Sequence, residues 1–324
     1  MIRPVIASIA CALAAGAEPL TLTYTVPLPG VHGRFDHFTT SADGARLAVA
    51  ALGNGSVEIL DLTTKKYLLS IPNQRKPCGV LFSDDHERLY VTNGDDGTFK
   101  TLTTATGAPV SSIAKLDDAD NLRRDPTHFY IGYGEGALAV INAADGKLSH
   151  RISLPAHPEA FQLETQGPRI FVNVPGTRQV SVVDREKKSI TATWPTGNHT
   201  WGGNFPMTLD EIHHRLFIGC RQPASVVVLN STDGHEITKA EISGDTDDLF
   251  YDAKRQRLYV SCGAGFLDTL SVAADGTLKT IGHLATRSGA RTCYFSAALD
   301  TLWLAVPQNN GKDAEIRAYQ PGGS

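Results

Sequence analysis

Short apolar stretches, each opened by a polar or cationic residue, recur along the whole chain. RLAVA, RLYVT, HFYIG, RIFVN, RLFIG, RLYVS and TLWLA begin at 46, 88, 128, 169, 215, 257 and 301, at steps of 42, 40, 41, 46, 42 and 44 residues. A second run follows each: VEILD, FKTLT, LAVIN, VSVVD, VVVLN, LDTLS and EIRAY. A shorter one precedes each: FTTS, VLFS, NLRR, FQLE, MTLD, LFYD and CYFS. A fourth closes the unit, as in YLLSIP, VSSIA, SHRISLP, TATWP, TKAEIS and KTIGHLA. Two-residue alternation and β-branched content predict strands and argue against helices. The ADG, TGA and TDG triplets between runs supply the turns.

Four short strands repeating every forty-odd residues describe the blade of a β-propeller. The chain is therefore predicted to be all-β, a seven-bladed β-propeller with four-stranded blades. The seventh unit, 288–321, lacks a fourth strand, and LTLTYTVPLPG at 20–30 reads like HRISLPAH at 150–157. The N-terminal strand is thus expected to complete the last blade, which removes an open sheet edge and locks the ring.

The 324 residues carry 30 Gly and 17 Pro, which suits a turn-rich β protein. A net charge of −4 leaves no electrostatic footprint for a polyanion, so no nucleic-acid partner is expected. No apolar run is long enough to span a bilayer, so no membrane insertion is expected either. Residues 1–17 read as a cleavable signal peptide, with Arg3 as the only charge, an apolar stretch from Val5 to Ala15 and the small residues Ala15-Gly16-Ala17 before Glu18. Cleavage after Ala17, a periplasmic or secreted location, a single propeller domain over 18–324 and a monomer are expected; a lipoprotein reading at Cys11 is weaker. Cys78, Cys220, Cys262 and Cys293 remain. Their number permits disulfides in an exported chain. Cys220 and Cys262 fall at the same repeat position, however, which favours buried thiols. No zinc-ribbon spacing and no covalent haem motif occurs.

Charge gathers where the innermost strands begin. In a propeller these strands line the central channel, and the connection from one blade to the next lies on the same rim as the loop between second and third strands. RFDH at 34–37 therefore points into a shared funnel. Aligned by repeat, His37 is matched by Gly79, Asp120, Ala160, Pro206, Asp248 and Thr292, and Asp36 by Cys78, Ala119, Glu159, Phe205, Asp247 and Arg291, with blade three needing a gap. Arg34, Lys76, Asp117, Asp118, His157 and Asn204 lie slightly upstream, and Asn121 follows Asp120. Unlike residues at equivalent positions suit an asymmetric site better than a purely architectural role. Two departures from the repeat point to the same rim: the longer loop TGNHTWGGNFP at 196–206, with His199 and Trp201, and Arg221, which stands where other blades have Gly94, Gly134 and Gly263. A planar guanidinium there suits a carboxylate or phosphate, or pairs with a neighbouring Asp.

RLYVTN at 88–93, RLYVS and RIFVN, each followed by an apolar strand, resemble the YVTN repeats of bacterial YncE-like propellers. The resemblance covers essentially all of 20–320. RFDH, DDADN, LPAHPEAFQLE, NFPM, GDTDDLFYD and SGART look like the rim segments of an exported YncE-like subgroup. It implies seven blades and an envelope location, but no single activity, because relatives of this architecture include ligand-binding and surface-layer proteins, the haem-carrying propeller of nitrite reductases and the streptogramin-cleaving lyase. The DNA-binding role attached to one YncE-like member is not carried over to this acidic chain.

The leading expectation is an exported protein that binds a small polar or anionic ligand, a metal complex or a partner's segment in the funnel. The expected binding residues are Arg34, Asp36, Asp118, Asp120, Asn121, Asn204, Arg221, Asp247, Asp248 and Arg291. An alternative is a metal-dependent lyase or lactonase-type enzyme, with His37, His157 and Glu159 as acid–base groups. A third is a scaffold or a redox partner, with a haem held by His37 or His157. A divalent cation on His37, His157, Asp120 and Asp248 would be Zn, Mn or Fe by its mixed ligands, or Ca or Mg by carboxylates alone. No nucleophilic serine motif or phosphate-cradling glycine loop occurs.

Overall fold

Each repeat folds into an antiparallel four-stranded sheet, and seven such sheets form the ring of a seven-bladed β-propeller. The computed structural model describes residues 19–196 and 202–323. The expected signal segment, and the expected contributions of His199 and Trp201, lie outside the described residues. In blade one the strands run from the channel outward as Phe38–Thr40, Arg46–Ala51, Ser56–Asp61 and Lys66–Ile71. In blade seven, Cys293–Ser296, Thr301–Val306 and Ala314–Pro321 are completed by the N-terminal strand Leu20–Leu28. That strand pairs antiparallel with the last one from Leu20 opposite Pro321 to Leu28 opposite Ala314. The Trp303 indole also donates to the Tyr24 hydroxyl at 3.0 Å, a side-chain tie across the closure.

The second strands depart from the expected alternation. Leu47, Ala48, Val49, Ala50 and Ala51 are all at 0% exposure. A blade is covered by a neighbour on both faces, so its middle strands are buried on both sides and read as continuous apolar runs. Alternation survives on outer strands such as Ser189–Pro195, where exposed and partly buried residues take turns. The apolar clusters lie between blades. Ala48, Ala50 and Val57 of blade one pack on Val80, Phe82 and Leu89 of blade two, and Phe217, Val226 and Val228 of blade five pack on Leu249, Leu258 and Val260 of blade six. Each fully buried aliphatic side chain contributes about 1.5–3 kcal/mol, so the blades hold one another in place.

The channel register is fixed by a repeated pair of backbone bonds. Asp36 N–H donates to Ala50 and Ala50 N–H to His37; Gly132 stands in the same relation to Asp120 and Asn121, and Asn173 to Glu159 and Ala160. Asp120 is therefore the counterpart of Asp36, and Asn121 the counterpart of His37. The expected alignment of blade three was one residue off, because its approach segment DDAD is longer than the gap allowed. The first ring of the channel reads Asp36, Cys78, Asp120, Glu159, Phe205, Asp247 and Arg291.

Three buried side chains, one on every second blade, tie this ring together. The Thr92 hydroxyl donates to the Asp120 carbonyl at 2.6 Å, the Asn173 amide to the Phe205 carbonyl at 3.0 Å and the Ser261 hydroxyl to the Arg291 carbonyl at 2.5 Å. Each sits at the fifth position of its RLxVx segment, where the other blades have Ala50, Gly132, Gly219 and Ala305.

Candidate functional site

In five of the seven blades the residue two places before the first ring makes the bend that aims it inward. Lys76, Asp118 and Asp245 take left-handed φ values of 58°, 50° and 64°, and Gly203 and Gly289 do the same at 63° and 86°. A side chain tolerates this conformation poorly, and Asp is among the residues that adopt it more readily. The bend places Lys76 and Asp118 on the rim, where they form an ion pair of 2.7 Å, and sends Cys78 and Asp120 into the funnel.

The funnel holds a cavity of ≈ 210 Å³ lined by Arg34, Asp36, His37, Leu52, Lys76, Cys78, Asp118, Asp120, Asn121, His157, Glu159, Ala160, Phe205, Arg221 and Asp247. Asp36, His37, Asp120, His157, Glu159 and Asp247 are half-buried in its lining, and Arg34 and the Lys76–Asp118 pair are its more exposed part. His37 lies 3.5 Å from Asp36 through Nε2 and 3.7 Å from Asp248 through Nδ1. Asp248 is anchored by the Cys293 N–H at 2.9 Å. His157 donates from Nδ1 to the Gly134 carbonyl at 2.7 Å, and its Nε2 lies 3.9 Å from Asp120. Arg221 pairs with Asp247, donates from Nε to the Thr246 carbonyl at 2.8 Å, and stacks on Phe205 with 3.8 Å to the ring centre.

These placements set the charges. Burial pushes Asp36 up to about 7, with the carboxylates of Asp120, Asp247 and Asp248 adding to the shift and the His37 imidazole opposing it. Burial likewise raises Glu159 to about 8, reinforced by Asp120, and Asp247 to about 6 despite Arg221. For His37 burial opposes the charge, but Asp36 and Asp248 outweigh it and lift the imidazole to about 9. The Asp120 contact is the largest influence on His157, which also rises to about 9. Asp120 is the exception: burial acts against its charge, yet both imidazoles hold it below the ordinary carboxylate range. Near neutral pH the site thus combines imidazolium groups, an ionised Asp120 and a largely protonated Glu159.

Among the described residues, two sets of three ligand atoms lie within 4.8 Å of one another, Asp36–His37–Asp120 and Asp120–His157–Glu159. An imidazole with two carboxylates suits Zn, Mn or Fe. Of the residues expected from the sequence, His37, His157, Glu159, Arg34, Asp36, Asp118, Asp120, Asn121, Arg221 and Asp247 come together around the cavity. Three stand behind it. Asn204 is fully buried and donates to Asn173 and to the Gln179 carbonyl. Asp248 supports His37 and belongs to neither set. Arg291 pairs with Asp245 at 2.9 Å.

Sequence reasoning aligned Cys78 and Phe205 with Asp36 but gave neither a role, although both line the cavity. It also passed over Arg123, whose charge burial opposes and Asp248 and Asp120 favour. The aligned repeats carry the signal for Arg123: it stands where the other innermost strands have Thr39, Leu81, Gln162, Thr208, Phe250 and Tyr294, none of them charged. The four cysteines are free and buried. Burial holds the Cys78 thiol well above its usual range, so it stays protonated unless a cation reaches it.

No family model matches the chain, and no curated protein matches it. Solved structures do. A chain in "Crystal Structure of Mitotic Checkpoint Complex" is similar with a TM-score of 0.79 at 13% identity, covering 99% of this chain and 98% of that one. A chain of Kuenenia stuttgartiensis hydrazine synthase is similar with a TM-score of 0.72 at 14% identity, covering 86% of this chain and 95% of that one. At such identities the likeness establishes the propeller fold alone.

Proposed function

We propose that the protein binds a small polar, anionic ligand in the funnel, through the carboxylate, imidazole and cationic groups that line it. One observation carries this reading: four of the seven first-ring positions, Asp36, Asp120, Glu159 and Asp247, bring carboxyl groups to one cavity of ≈ 210 Å³ that His37 and His157 also line. A cavity of that size admits a metabolite-sized molecule. Arg34, Lys76 and Arg221 line the cavity, and the Arg221 guanidinium, stacked on Phe205 and already donating to Thr246 and Asp247, would share its remaining donors with a carboxylate or phosphate.

A thermal-shift panel of small mono- and dicarboxylates, phosphate and divalent cations tests it. A ligand present at a hundred times its Kd stabilises the fold by about 2.7 kcal/mol, which reads as a rise of several degrees in Tm. The shift should vanish in the His37→Gln/His157→Gln double variant. A panel that moves neither protein counts against the reading.

A second reading, a metal-dependent lyase or lactonase-type enzyme, is favoured by the pairing of Glu159 with His157. A carboxyl that keeps its proton near neutral pH, beside an imidazole, has the makings of a general acid and base. Glu159→Gln should then abolish turnover of a lactone panel. Stabilisation without turnover in the wild type would leave only the binding reading.

We also place the chain among exported YncE-like propellers, on its seven blades and its RLYVTN and RLYVS strands. N-terminal sequencing of the secreted mature protein should begin at Glu18; retention of Met1 would refute export by cleavage.

A further inference from the structure

We propose that the funnel holds two divalent cations bridged by the Asp120 carboxylate, one on Asp36 and His37 and the other on His157 and Glu159. This rests on reading the funnel as a binding site and names how the anionic ligand is held there. The first observation is geometric: the two ligand sets share one residue, Asp120, and each offers an imidazole and two carboxylates within 4.8 Å. Three protein ligands per ion leave coordination positions open for a ligand or water. A shared carboxylate is the usual bridge where two ions stand about 3.5–4 Å apart.

The second observation is the orientation of the imidazoles. A metal-bound histidine nearly always gives its other ring nitrogen to a carbonyl or carboxylate, which fixes the ring and its tautomer. Here His157 donates from Nδ1 to the Gly134 carbonyl at 2.7 Å and turns Nε2 toward Asp120. His37 faces Asp248 through Nδ1 at 3.7 Å and turns Nε2 toward Asp36 at 3.5 Å. Asp248 is in turn fixed by the Cys293 N–H. The His157 ring thus has hydrogen-bonded support on one nitrogen and the shared cluster on the other, and the His37 ring is oriented likewise between Asp248 and Asp36, at longer distances.

The third observation is independent of the cluster. Asn121 is 2% exposed, lines the cavity, and its Oδ1 has no hydrogen-bond partner. A buried amide oxygen without a donor costs about 1–3 kcal/mol. A cation, or water bound to one, satisfies it. Carboxylates packed this closely also repel one another unless cations or protons intervene. Bound cations relieve that repulsion, and Arg34, Lys76 and Arg221 then face the anionic part of a metal-held ligand.

Mn2+ is the probe. Metal-stripped full-length mature protein, titrated with Mn2+ alone, should take up two ions per chain by native mass spectrometry. Its electron paramagnetic resonance spectrum should show exchange coupling in place of isolated six-line ions. His37→Gln and His157→Gln should each retain one uncoupled ion. Asp120→Asn should lose the coupling and weaken uptake at least tenfold, and Asp248→Asn should keep two ions with about 10–100-fold weaker affinity. His213→Gln, in a turn on the opposite rim, should match the wild type. If Asp120→Asn does not fold, wild-type stoichiometry and coupling decide the matter.

Uptake of one ion, of two uncoupled ions, or of two coupled ions undisturbed by Asp120→Asn would overturn the bridge. Wild type that takes up no Mn2+ but is still stabilised by small carboxylates or phosphate overturns this inference and leaves the funnel reading standing. Failure of both overturns both.

Discussion

Asp120 is the residue on which the site turns, since it alone belongs to both ligand sets and is held ionised by two imidazoles. Its neighbours are shifted the other way. Asp36, His37, His157, Glu159 and Asp247 all lie above their ordinary values, between about 6 and about 9. The folded protein therefore binds more protons than the unfolded chain across that range, and stability falls as pH rises. The carboxyl contributions are complete only below the ordinary carboxylate range and decline up to each raised value. The imidazole contributions are complete below about pH 6.5 and are lost as pH passes through about 9. Carboxylates held low elsewhere, such as Asp125 at about 2, lose their contribution only in acid. Metal-free protein at constant ionic strength should thus show a Tm that falls from pH 5 to pH 9, with a shallower slope in Glu159→Gln. A rising Tm over that interval would contradict the charge assignment. Arg221→Ala leaves Asp247 without its partner and should cost about 1–3 kcal/mol. The loss should be smaller at pH 5 than at pH 8, because Asp247, raised to about 6, can then protonate; denaturant unfolding at both values checks this.

At the scale of the strand, the site depends on hooks between blades as much as on its own side chains. Thr92 receives the Gly79 N–H at 2.7 Å and donates to the carbonyl of Asp120, the residue that joins the two ligand sets. Thr92→Val keeps the volume but strands both groups. It should destabilise the protein by about 1–3 kcal/mol and weaken ligand binding. Unchanged stability and binding would show that the hook does not position the ring. Strand identity was plain in the sequence, because each RLxVx segment is an apolar run bounded by turn residues. Two features were not. Burial on both faces of the second strand follows from neighbouring blades, which local periodicity cannot see. The exact register of DDADN could not be settled either, because a segment of ambiguous length precedes a strand of only three residues, Leu122–Arg124. The hooks were visible as alternating Thr, Asn and Ser against Ala and Gly at one repeat position, but their purpose appears only when the next blade's carbonyl is placed beside them.

For the whole molecule, the ring is what converts seven separated segments into one cavity, so closure and site stand or fall together. The N-terminal strand supplies the outer edge of blade seven and is paired along Leu20–Leu28. Deleting residues 18–30 should expose the Ala314–Pro321 strand as an unpaired edge and yield aggregated protein. A soluble, monomeric deletion variant with wild-type Tm would mean that closure does not support the fold. Closure was legible from the missing fourth strand of the last repeat. So was the convergence of charge, because it needed only the topology of a propeller and the positions of the strand starts. The pairing of Arg221 with an Asp was one of two alternatives the sequence offered; which Asp, the outer place of Asp248 and the part played by Arg123 were not legible, since each depends on contacts between residues far apart in the chain. The central claim is that these strand starts form a binding funnel and do more than satisfy one another across a wet channel. It is tested most directly by a crystal structure of the mature protein soaked with Mn2+ and a small dicarboxylate, with anomalous differences measured at a wavelength that reveals manganese. Anomalous peaks are expected against Asp120 and the two imidazoles, with ligand density between them and Arg221. A funnel holding only water, with His37 and His157 closed onto their carboxylates, would contradict the claim.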